Sequence, residues 1–129
     1  MLAESYARVG RIEEGLALLN ESLPHIERTG AKLELAEILR VKGEVLLMRD
    51  SSTTDDAEAC FCTALEVARA QEAKWWELRT SVSLARLLRD TNRNNEARTM
   101  LSGIYNWFTE GFELPDLKEA KELLQRLNG

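Results

Sequence analysis

The feature that most constrains this chain is a recurrence. Gly15, Leu19 and Ser22 return as Ala57, Phe61 and Ala64, and again as Ala97, Leu101 and Ile104. The first step is 42 positions at every landmark and the second is 40. A second set runs beside it: Ala3, Gly43 and Ala85, each followed three residues later by Tyr6, Leu46 and Leu88. Spacings of three and four hold these residues on one face of an α-helix. A small side chain lets a neighbouring helix come close, and the large residue beside it fills the remaining space. The recurrence therefore predicts helices in pairs, repeating about every forty-one residues around one continuous core. Ile104 is the poor match, because a small residue is expected there.

Apolar residues follow helical spacing along almost the whole chain, as in Ile12, Leu16, Leu19 and Leu23, and no alternating pattern of a strand is sustained. Seven helices are expected, at about 2–9, 13–28, 32–49, 55–71, 74–91, 94–109 and 115–128. Gly10 and Gly30 suit left-handed helix ends. The polar run Asp50 to Asp55 and the stretch Asn92 to Asn95 offer N-caps, and Gln71 to Lys74 holds a tight turn. Pro115 fits the first position of a helix, with Asp116 and Glu119 near its positive end. Pro24 falls inside a helical pattern and is expected to kink that helix or end it early.

At 129 residues the chain is long enough for one domain with a real core. A net charge of −5 argues against nucleic acid, whose phosphates need a basic face. There is no apolar run of membrane-spanning length and no basic-then-apolar N-terminal segment, so a cytoplasmic protein is expected.

Chemistry-bearing motifs are sparse. Cys60 and Cys62 flank Phe61 and leave a helix about 200° apart, so they cannot grip one metal ion. They are read as small helix residues, with a redox-sensitive thiol as the rival. His25, the single histidine, has no identifiable nucleophile as partner. The carboxylate pairs Glu13–Glu14 and Asp55–Asp56 belong to helix starts. No glycine-rich phosphate loop is present. No enzyme, cofactor or metal site is expected.

The small–large–small pattern resembles the tetratricopeptide repeat, although the period also suits HEAT-like repeats. The second half is similar to a particular family. The run Ala57 to Arg79 (AEACFCTALEVARAQEAKWWELR), then Ser83-Leu-Ala-Arg-Leu, Glu96-Ala-Arg, the block Ile104 to Phe112 (IYNWFTEGF) and Asp116-Leu-Lys-Glu-Ala-Lys resemble the C-terminal tetratricopeptide region of large bacterial predicted ATPases, many of which carry an adenylate or guanylate cyclase domain. Glu14 to Leu19 and Glu27 to Gly30 fit as well. Nothing here matches the nucleotide-binding residues of that family, and none are carried over.

The resemblance implies an all-α, tetratricopeptide-like α-solenoid of three helical hairpins, the first truncated, and a C-terminal capping helix. The repeats span about 1–30, 32–72 and 74–110, and the cap 115–128, with Leu117, Ala120, Leu124 and Leu127 facing in and Lys118, Glu119, Lys121, Glu122 and Arg126 facing water. In such stacks the first helix of each pair lines a concave groove, which places Glu37, Arg40, Glu44, Arg79, Val82, Arg86 and Arg89 there. An arginine cluster in a groove suits a carboxylate or an acidic peptide. The rival is a solvated face with local pairs such as Glu37 and Arg40. The expected function is protein–protein interaction, as a scaffold or regulatory sensor arm for a signalling ATPase or cyclase. The alternative is homo-oligomeric packing: Leu2, Tyr6 and Val9 would form a dimer through the short first helix. Trp75 and Trp76 are the other interface candidates, one packing between repeats and the other reaching another subunit or domain. The short first helix also suggests a piece of a longer protein.

Overall fold

A computed structural model describes residues 12–29, 32–49 and 54–128. Among these residues all regular structure is helical: α1 (Ile12–Thr29), α2 (Lys32–Arg49), α3 (Thr54–Ala70), α4 (Lys74–Asp90), α5 (Asn94–Tyr105) and α6 (Pro115–Asn128). None is long and apolar enough to cross a membrane. The first expected helix, with Leu2, Ala3, Tyr6 and Val9, lies outside the described residues, as do Gly10 and Gly30.

Each helix packs on the next in the chain, and the only other contacts between elements are α2 with α4 and α4 with α6. The described helices thus form two layers. The even-numbered ones touch one another, and the odd-numbered ones touch only even-numbered neighbours. α2 and α4 have partners on several sides and are apolar around much of their circumference. Leu35, Ala36, Ile38, Val41, Val45 and Leu46 of α2 are all buried. In α4 even the polar Thr80, Ser81 and Ser83 are buried.

The recurrent landmarks hold the layers together. Ala57, Phe61, Ala64, Ala85, Ala97 and Leu101 are fully buried, and Leu19, Leu46, Leu88 and Ile104 nearly so. Gly15 and Gly43 are buried too, while Ser22 is half-buried. Gly43 shows why the small residue is needed. A Cβ built on it would lie 2.5 Å from a ring carbon of Phe61 and within 2.9 Å of two more. The ring of α3 therefore rests directly on the backbone of α2. Burying a phenylalanine in this way contributes about 1.5–3 kcal/mol.

Two connectors repeat one geometry. After α3, Glu72 takes a left-handed φ of 54°, Ala73 N–H donates to Ala68 O at 2.9 Å and Glu72 N–H to Arg69 O at 3.0 Å. After α4, Asn92 takes φ 64°, Arg93 N–H donates to Leu88 O at 2.7 Å and Asn92 N–H to Arg89 O at 3.1 Å. Both are Schellman closures, which satisfy the last carbonyls of one helix and aim the chain into the next within three residues. Asn92 tolerates this conformation well, and Glu72 is a costlier occupant. The stretch Asn92 to Asn95 therefore ends α4 rather than capping α5. The N-cap of α5 is Arg93, and its side chain makes no capping bond.

The structure refines three further expectations. α1 runs from Ile12 to Thr29 with Pro24 inside it, close to the expected 13–28, so of the two effects expected of the proline an early end is not seen. Proline there removes the donor that would reach the Asn20 carbonyl, one bond among many in a helix of 18 residues. α5 stops at Tyr105, four residues short of the expected 109. Its end tightens, with Trp107 N–H donating to Ile104 O and Phe108 N–H to Tyr105 O. Phe108 is thereby turned against Trp75, with ring centroids 5.7 Å apart. In α6 the fourth buried residue is Leu123, with Leu124 half-buried. Arg98 of α5 ties down the far end of α6, donating to the Leu127 carbonyl at 2.6 Å.

Candidate functional site

The inner layer carries a cleft of about 280 Å³, lined by Arg40, Glu44 and Met48 of α2, Arg79, Val82, Ser83 and Arg86 of α4, and Asp116 and Glu119 of α6. Its register follows the spacing of the sequence landmarks. Gly43 and Ala85 are 42 positions apart, and so are Glu37 and Arg79. These two equivalent positions on neighbouring inner helices form an ion pair of 2.8 Å. Arg79 continues to Asp116 of α6 at 3.9 Å. One rung, acid to base to acid, thus crosses all three inner helices, and the Trp76 ring flanks its central guanidinium at 5.3 Å.

The remaining arginines are committed as well. Arg40 grips Glu37 through two nitrogens, at 2.6 and 3.2 Å, and reaches Ser83 Oγ at 3.4 Å. Arg86 pairs with Glu119. The Arg40 and Glu37 side chains are 14% and 19% exposed and those of Arg86 and Glu119 40% and 45%, so the cleft opens from a sheltered end toward water. Charge-assisted pairs at the sheltered end hold their geometry most firmly.

Of the seven groove residues expected from sequence, Arg40, Glu44, Arg79, Val82 and Arg86 line the cleft, and Glu37 stands behind it through its two arginines. Val82 is nearly fully buried and forms floor rather than a contact. Arg89 is not brought in: it lies one turn on and pairs with its neighbour Asp90 at 3.2 Å. Sequence reasoning missed Met48, Ser83, Asp116 and Glu119. The two acids had been assigned to the helix dipole and to solvent. Their place 37 and 33 positions beyond Arg79 and Arg86, near one repeat, is the signal that could have found them.

Trp75 packs on a neighbouring element, and Trp76 keeps part of its ring exposed. Both are half-buried with partners inside the chain, Phe108 for Trp75 and Arg79 for Trp76. The exposed tryptophan is Trp107, at 57%, in the α5–α6 connector, where it packs on Phe108 and sits under Lys74. Leu2, Tyr6 and Val9 lie outside the described residues, and so does the His25 side chain.

Cys60 is half-buried against the core and Cys62 is exposed. Burial pushes both thiols above their ordinary pKa. Asp56 adds to this at Cys60 and Lys42 opposes it; Glu58 and Glu66 add to it at Cys62, against Arg93 and Arg69. A nucleophilic thiol needs the opposite shift.

No protein-family model matches the chain, and no curated protein matches it in sequence.

Proposed function

We propose that this chain is a tetratricopeptide-like helical stack that works as a protein–protein interaction module, a cytoplasmic scaffold or regulatory arm of a bacterial signalling ATPase or cyclase, with binding rather than catalysis as its task. The observation that carries this reading is the layering: α4 contacts both α2 and α6, the three helices share a cleft, and α1, α3 and α5 do not meet one another among the described residues. A stack of this kind presents an extended inner surface to which a partner segment can lie parallel. The close approach of Phe61 to Gly43 and the burial of Ala85 and Leu101 support it from the core side. The association with an ATPase or cyclase rests on the sequence resemblance.

The test is calorimetric titration of the purified chain with a separately purified ATPase domain of the signalling family that the sequence resembles. Saturable binding whose affinity changes on Arg79→Ala with Arg86→Ala is the expected result. Binding unaffected by these substitutions would move the interface off the inner layer, and no binding would remove the ATPase partner.

A further inference from the structure

The pairing within the cleft weighs against an acidic ligand. Three guanidinium groups, Arg40, Arg79 and Arg86, stand against four carboxylates, Glu37, Glu44, Asp116 and Glu119, which leaves one negative charge in excess. Each guanidinium already has a carboxylate partner. An incoming carboxylate would have to displace one of these, exchanging like for like and leaving the displaced acid beside it.

The excess charge has a definite place. Glu44 and Arg86 are 42 positions apart, the same offset as Glu37 and Arg79, so a second rung between α2 and α4 is expected there. Instead Arg86 turns to Glu119 of α6. Among the described residues Glu44 has no ion-pair or hydrogen-bond partner, although it is half-buried and lines the cleft. Beside it, one turn along α2, Met48 is 43% exposed at the open end. The cleft thus offers a carboxylate with no cation among the described residues, a second carboxylate in its lining, Glu119 of α6, whose partner is Arg86, and a flexible apolar side chain at the mouth.

We propose that this open rung is the recognition point for a basic side chain of a partner segment, a lysine or arginine held between Glu44 and Glu119 with an apolar neighbour resting on Met48. The proposal rests on the inner layer being the binding surface and adds to it the chemistry of the partner. Charge complementarity selects the occupant: a cation completes the ladder, whereas an anion must dismantle it. The thioether surface then favours an aliphatic residue next to the charge.

The test uses two labelled peptides, a short Lys-Leu repeat and its Glu-Leu counterpart, followed by fluorescence anisotropy at low and at physiological salt. The Lys-Leu peptide is expected to bind saturably. Glu44→Lys, which places a cation in the rung from the protein's own side, should weaken it by about tenfold or more, a difference well resolved in Kd. Glu66→Lys makes the same change in net charge on the exposed face of α3 and should leave affinity unchanged. Equal weakening by both substitutions would show mere long-range attraction to an acidic chain and overturn the proposal. Preferential binding of the Glu-Leu peptide, lost on Arg79→Ala, would overturn the basic-partner assignment while keeping the inner layer as the binding surface. Failure of the Lys-Leu peptide alongside ATPase-domain binding that is sensitive to Arg79 and Arg86 would also reject the basic partner alone. Failure of both would reject the surface itself.

Discussion

The α2–α3 hairpin and the α4–α5 hairpin solve one packing problem with different side chains. The first sets Gly43 against Phe61, a residue with no Cβ under a full ring. The second has Ala85 and Leu101 at the equivalent positions, one methyl group more on one helix and a smaller side chain on the other. All of these residues are buried. A smaller residue on one helix thus goes with a larger one on the other, and both combinations are buried. Cores tolerate such exchanges when total volume and pattern are conserved, and resist one-sided changes. A repeat fold can therefore drift in residue identity at each landmark without losing the nesting.

The largest expected effect breaks the two hairpins separately. Phe61→Ala empties the first contact and should cost about 4 kcal/mol, and Leu101→Ala in the second about 3 kcal/mol, both read from urea denaturation midpoints with unchanged slope. Losses well under 1 kcal/mol in either would show that its landmark does not carry the packing.

A smaller effect separates core from cleft. Glu37→Gln removes the acid shared by Arg40 and Arg79, at a site sheltered but not dry, and should cost about 2 kcal/mol. Added salt should shrink the difference between wild type and variant, as it would not for Phe61→Ala. Equal salt dependence of the two variants would count against an electrostatic origin.

The smallest effect concerns the cysteines that flank the first landmark and have no counterparts in the second. Because burial raises both thiol pKa values, less thiolate is present at any pH below them than for a free thiol. Alkylation by iodoacetamide near neutral pH should be slower than for an unfolded control, and slower at Cys60 than at the more exposed Cys62. Faster alkylation than the control would revive a redox role.

The helices and their buried faces were legible in the sequence because periodicity and small–large spacing report directly on helix packing. Ala57, Phe61, Ala64 and Ala97 could be placed by counting alone. The cleft was legible only in part. Which positions lie on an inner face follows from register, as for Arg40, Glu44, Arg79 and Arg86, but which charge meets which depends on distances between helices far apart in the chain. Arg86 could have paired with Glu44 or with Glu119, and no local pattern decides between them. The early end of α5 escaped for a similar reason. Phe108 continues a helical pattern, yet in three dimensions it is drawn to Trp75 on another helix.

The central claim is that helices nest through matched small and large residues, and one double-mutant cycle tests it most directly. Gly43→Ala alone drives a methyl group into the Phe61 ring and should lose about 1–2 kcal/mol, despite the better helix propensity of alanine. Phe61→Leu alone leaves the contact underfilled and should lose about 1 kcal/mol or more. Together they reproduce the Ala–Leu combination of the second hairpin. The account predicts that the double variant is more stable than the sum of the single losses by at least about 1 kcal/mol in equilibrium urea unfolding. Losses that simply add would contradict it.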